Sequence, residues 1–159
     1  AELMGVRIMQ PRMMDAWRYR DHQPFDRVLL DAPCSCEARI KSYDKKSYAY
    51  WSLRKIHEMQ RKQRGLILNA GRLLKPDGIL VYATCTFAPE ENEDVIDWFL
   101  RKTAGTFEVQ EVGLPGLRTS PALTQWGKRK FSPSVSRCLR LLPQDGWEGF
   151  FIAKLRKLT

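Results

Sequence analysis

Arg27-Val28-Leu29-Leu30-Asp31-Ala32-Pro33-Cys34 is the stretch on which the reading of this chain turns. Its continuous apolar run is of the kind a strand shows when it is buried in a sheet. The run closes on an acid, and Pro33 stops the strand and turns the chain outward. A second run, Ile79-Leu80-Val81-Tyr82-Ala83-Thr84, closes in the same way on Cys85. Between the two, Ser52 can cap a helix to about Leu74, in which Leu53, Ile56, Met59, Gln63, Leu66, Ile67, Ala70, Leu73 and Leu74 fall near a 3.6-residue period. Lys75-Pro76-Asp77-Gly78 ends that helix with turn chemistry. Strand, helix and strand in this order predict an α/β domain with a mostly parallel sheet. Ligands of such sheets bind at the carboxyl ends of the strands, where both cysteine blocks stand.

Outward from this unit the elements are shorter. Val6-Arg7-Ile8-Met9 is a candidate strand, and residues 35–50 read as a polar loop. Pro89, followed by Glu90, Glu91, Glu93 and Asp94, suits the positive end of a helix running to about Lys102. Phe107 to Val112 alternates as a half-exposed strand, and Gly149 to Leu155 forms a last one. Residues 113–146, rich in Gly, Pro and Ser, are expected to be a loop-rich basic insertion in one domain spanning 1–159.

Composition limits the function. The 159 residues suffice for one domain with a real core. No apolar run is long enough to span a membrane, and no signal-peptide layout opens the chain. Position 1 is Ala, so a fragment or processed product is expected. The net charge of +9 suits a polyanionic partner. Residues 38–64 carry nine Lys/Arg against two acids, and residues 117–142 carry six against none. Residues 89–112 carry seven acids against two Lys/Arg. Segregation of this kind is what a phosphate-facing surface requires. The spacing of Cys34, Cys36, Cys85 and Cys138 fits no zinc pattern, so no metal is expected. Reduced thiols in a cytoplasmic protein are the expectation.

The two cysteine blocks resemble the RNA m5C (cytosine-C5) methyltransferase family. The resemblance runs through Phe25 to Ser35, Trp51-Ser52, Gln60 to Leu74, Leu74 to Thr86, Pro89-Glu90-Glu91-Asn92-Glu93 and Gly149 to Ala153. It implies the later part of a Rossmann-like methyltransferase domain, with the N-terminal strands missing and a strand edge left open. It also implies methylation of cytosine C5 in rRNA or tRNA with S-adenosylmethionine as donor. Adding a thiolate to C6 makes C5 nucleophilic. The resemblance gives that attack to Cys85, product release to Cys34, and contact with the cytosine N3/N4 edge to Asp31. In DNA cytosine methylases the nucleophile lies in the Pro-Cys block, but the Thr84–Cys85 block argues against that logic here.

Asp15, Asp31 and Pro33 are the cofactor-side candidates; the glycine-rich loop of the family has no counterpart. The family usually has small residues after Ser35, where this chain has Cys36, expected to be a spectator thiol. Lys41, Lys45, Lys46, Arg54 and Lys55 are expected to meet RNA phosphates, as are Lys128, Arg129 and Lys130 beside Trp126. Tyr43, Tyr48, Tyr50 and Trp51 could stack on bases. Arg140 and Pro143 resemble an Arg…Pro signature before the last strand. The alternative is a non-catalytic RNA-binding fragment or truncated pseudoenzyme that keeps the basic surface.

Overall fold

The structure, a computed structural model, describes residues 8–144 and 146–159. Strand β1 (Phe25–Asp31) leads through two short 3-10 turns to helix α1 (Leu53–Arg72) and strand β2 (Leu74–Thr84). Helix α2 (Glu93–Lys102) and strand β3 (Phe107–Gln110) follow. Next come β4 (Thr119–Pro121), β5 (Gln125–Trp126), β6 (Arg129–Lys130), β7 (Leu139–Leu141) and β8 (Phe150–Lys157). The main sheet runs β1-β2-β8-β7-β4, with β3 also paired to β8, and β5 and β6 form a separate hairpin. The expected parallel pairing joins β1 to β2. The other four pairs of this mixed sheet are antiparallel.

Helix α1 follows from its sequence. The Ser52 hydroxyl accepts from the Lys55 N–H at 3.1 Å, satisfying one of the free donors of the first turn. Ile56, Met59, Gln63, Ile67 and Ala70 are its buried stripe. Ile67, Leu80, Tyr82, Val95, Ile96, Phe99, Phe151, Ala153 and Leu155 are inaccessible to solvent and join sheet to helices. Burying each large side chain stabilises the fold by roughly 1.5–3 kcal/mol.

Four stretches differ from expectation. Lys75–Gly78 is a bulge inside β2, because Phe25 pairs with Leu74 and Arg27 already with Ile79. Asp77 takes φ 60° there. A Cβ on Gly78 would meet the Lys75 carbonyl oxygen at 2.8 Å, so the tight bend needs glycine. The helix expected from Pro89 starts at Glu93, after a turn through Pro89–Asn92. Residues 113–146 supply β4 and β7 to the main sheet as well as the hairpin, so they are not simply loop. The candidate strand Val6–Met9 falls partly outside the described residues; Ile8 and Met9 are exposed and belong to no strand.

Strand β1 also departs from the buried run expected: it has one partner among the described residues, none of its seven residues is fully buried, and Leu29 is 72% exposed. Among the described residues no helix is long and apolar enough to cross a membrane.

Candidate active site

Parallel pairing of β1 and β2 sets Leu30 beside Tyr82 and Asp31 beside Ala83. One further bond, from the Ala32 N–H to the Ala83 carbonyl at 2.9 Å, carries the register past the strand end. The next residues of each strand, Pro33-Cys34 and Thr84-Cys85, therefore emerge side by side. Their sulfurs stand 3.3 Å apart. Asp31, Ala32, Pro33, Cys34, Cys36, Arg39, Cys85 and Phe150 line a cleft of about 310 Å³. Asp31, Cys34 and Cys85, far apart in the chain, are thus brought together. Pro33 borders the same cleft.

The two thiols are inequivalent. The Cys85 pKa is lowered, chiefly by the hydrogen bond from Cys34, against the opposing effect of desolvation; the Arg39 guanidinium adds a smaller favourable field. The Cys34 pKa is raised, by that same bond and by burial. Cys85 is therefore the more acidic of the two sulfurs, with Cys34 as the donor between them.

Buried polar side chains hold the loops in place. The Glu91 carboxylate accepts from the Ser35 N–H at 3.0 Å, from the Ser35 hydroxyl, and from the Gln63 amide at 2.7 Å. The same Gln63 amide donates to the Pro33 carbonyl at 2.9 Å. On the other side, Glu37 accepts from the Phe87 N–H at 3.1 Å and the Thr86 hydroxyl at 3.2 Å. Thr84 donates to the Asn92 side chain at 2.6 Å, and Asn92 returns a bond to the Thr86 carbonyl at 2.9 Å. Sequence reasoning placed Gln63 and Glu91 on helices without assigning them to the site, and did not single out Glu37 or Arg39. For Glu91 the signal was its place in the Pro89–Glu93 block; Arg39 carried none.

Cys36 stands close to the pair. Its Sγ lies 3.9 Å from that of Cys34. Its backbone is left-handed, with φ 59°, a conformation that favours glycine. For another residue it costs of order 1–3 kcal/mol.

The cofactor and RNA candidates divide. Asp15 is exposed, accepts from the Trp17 N–H at 2.9 Å, lies 3.8 Å from Arg18, and is not in the thiol cleft. Lys41, Lys45, Lys46, Arg54, Lys128 and Lys130 are exposed and form no ion pair with a described residue. Lys55 lies 3.7 Å from Glu58. Arg129 departs from the expectation: its guanidinium stands 2.6 Å from Asp94 and 3.4 Å from Asp97. Trp126 likewise donates to Glu90 at 2.9 Å, and Trp51 to Glu37 at 2.7 Å. Arg140 clasps the buried Glu93 with two bonds of 2.7 and 2.6 Å and donates to the Phe87 carbonyl at 3.0 Å. Arg64, from the first basic stretch, also reaches Asp94 at 3.3 Å, so the largely buried acidic block neutralises arginines from both stretches.

Residues 2–156 match the family described as 16S rRNA methyltransferase RsmB/F. The chain belongs to that family. It is 45% identical over 155 residues to the tRNA (cytosine(49)-C(5))-methyltransferase of Pyrococcus abyssi, covering 96% of this chain and 49% of the relative. It is 40% identical over 136 residues to ribosomal RNA small subunit methyltransferase F of Vibrio cholerae, covering 85% of this chain and 26% of that relative. The fold matches the crystal structure of NSun6 from Pyrococcus horikoshii with SFG at a TM-score of 0.77 and 30% identity, over 99% of this chain and 37% of the other. The chain thus spans half or less of the length of these relatives.

Proposed function

We propose that this RsmB/F-family chain carries the base-attacking half of an S-adenosylmethionine-dependent RNA cytosine-C5 methyltransferase acting on tRNA or rRNA in the cytoplasm. The observation that supports this most directly is the inequivalent thiol pair, Cys34 and Cys85, sharing one cleft with Asp31 at the carboxyl ends of parallel strands. The Cys85 thiolate adds to C6 of the cytosine. Asp31 holds the N3/N4 edge and steadies the proton taken up by the ring. C5, now enamine-like, becomes the nucleophile. When bound, S-adenosylmethionine supplies an electrophilic methyl group. Cys34 then assists elimination: the C5 proton passes to water in the open cleft, its bonding pair restores the C5–C6 double bond, the Cys85–C6 bond breaks with its pair on the Cys85 sulfur, and the Cys34 thiol donates a hydrogen bond to that departing thiolate as the aromatic ring returns.

The residues present fit the reactive end of that cofactor only. Asp31 and Pro33 border the cleft beside the sulfurs, whereas Asp15 lies outside it. The exposed Lys41, Lys45, Lys46, Arg54, Lys128 and Lys130 serve RNA phosphates.

Covalent trapping tests the assignment. With target RNA and cofactor, Cys34→Ala should accumulate a protein–RNA adduct that survives denaturing electrophoresis. Cys85→Ala should form none and lose activity. The reverse pattern would exchange the two roles. Absence of an adduct in every variant, with RNA binding retained, would favour a non-catalytic RNA-binding role.

A further inference from the structure

We propose that Cys34, Cys36 and Cys85 together form a three-thiolate site for a soft, thiophilic cation such as zinc or cadmium. Their three Sγ atoms lie within 4.8 Å of one another, and the two pairs through Cys34 measure 3.3 and 3.9 Å. Two sulfurs bound to a tetrahedral zinc at about 2.3 Å stand roughly 3.8 Å apart. The observed spacings bracket that value, so side-chain adjustments of about 1 Å or less would complete the geometry. Three protein ligands with one open position is the arrangement of an accessible rather than a closed zinc site. The cleft, open to solvent beside Asp31, leaves room for water at the fourth.

Cys36 is the part that the methyl-transfer chemistry does not need. It occupies a left-handed backbone position that glycine would take without strain, and its sulfur turns back toward the pair. An outlier kept at such a position points to a use for the side chain. As the metal–sulfur bonds form, each thiol gives its proton to solvent and nothing is oxidised. A cation held this way occupies the Cys85 sulfur and shuts down attack on the base. That consequence rests on the roles proposed above; the binding itself does not.

The test is titration of the reduced full chain with cadmium alone, read by the ultraviolet sulfur-to-cadmium charge-transfer band and by protection from iodoacetamide. The band should saturate at one cation per chain with the three cleft thiols protected. Cys36→Gly suits the backbone and keeps the other two sulfurs. It should weaken binding by more than the roughly 10–100-fold that removal of an outer hydrogen-bonding partner costs. Cys36→Ser should behave alike, which separates ligand loss from any backbone effect. Cys138→Ser, a buried thiol outside the cluster, should leave the band intact. No band in the unaltered chain, or unchanged affinity in both Cys36 variants, overturns the site. Either result, with the RNA adduct still forming, leaves the proposed methyltransferase role standing. A saturating band in a chain that never forms the adduct would do the opposite.

Discussion

Cys34 and Cys85 face each other at 3.3 Å although 51 residues separate them in the chain. Burial by itself would raise both thiol pKa values. The hydrogen bond between them divides the effect, lowering Cys85 and raising Cys34. Cys85 is thereby the more acidic of the two thiols, and Cys34 the less acidic.

That division gives a pH signature. Alkylation of Cys85 by iodoacetamide should rise with pH through a midpoint below that of an ordinary thiol. In Cys34→Ala the donor is gone and desolvation remains, so the midpoint should move to higher pH and the rate near neutrality should fall. Mass spectrometry of the Cys85 peptide across a pH series measures this. A midpoint that stays put or moves down would show that Cys34 does not set the ionisation of Cys85.

Glu91 should matter for stability as much as for the site. Glu91→Ala leaves the Ser35 N–H and one of the two Gln63 amide N–H groups without an acceptor. Each buried donor left unpaired costs about 1–3 kcal/mol, so the loss in urea unfolding should exceed ~2 kcal/mol. The pH dependence has a definite sign. Burial raises the Glu91 pKa in the folded chain. Its contribution is then complete below the ordinary glutamate value and declines as pH rises through the raised one. Glu91→Gln should remove that decline; an unchanged stability profile would contradict the placement.

Arg129 and its neighbours should separate folding from RNA binding. Arg129→Ala removes one of the two arginines on Asp94 and one of the two on Asp97, with Arg64 and Arg101 remaining, and should lower the unfolding midpoint. The loss should stay below the ~3–5 kcal/mol of a fully buried pair, because the Arg129 side chain is 41% exposed. Lys128→Glu and Lys130→Glu should leave the midpoint alone. They should weaken RNA binding and lower its salt slope by about 0.7 for each single-strand phosphate that is no longer neutralised. Filter binding at several salt concentrations, beside thermal melts, distinguishes the two classes. Equal behaviour of all three variants would remove the distinction.

The parts of the fold legible in the sequence are those with a strong local signal. The runs ending at Asp31 and Thr84 are apolar and continuous, and α1 carries both a cap at Ser52 and a buried stripe. The sheet strands at Thr119–Pro121 and Leu139–Leu141 are three residues long, too short to show alternation among Gly, Pro and Ser. Their existence depends on the partner strand. The site divided in the same way. Asp31, Cys34 and Cys85 stood out because each lies at a strand end and within a block that carries the family resemblance. The closeness of Cys36 depends on one left-handed residue, and the pairing of Arg129 depends on how α2 packs, neither of which has a local signature. Charge segregation along the chain was real, but packing turned much of it inward.

Strand β8 comes after every other strand in the chain, yet β2, β3 and β7 all pair with it. While residues 111–149 are still leaving the ribosome, β2 and β3 lack that neighbour and present an open apolar edge. Closing it joins segments far apart in sequence, which makes the step slow and exposed to misassembly. Phe150, the first residue of β8, also lines the thiol cleft. Completion of the sheet and completion of the cleft wall are therefore coupled through Phe150.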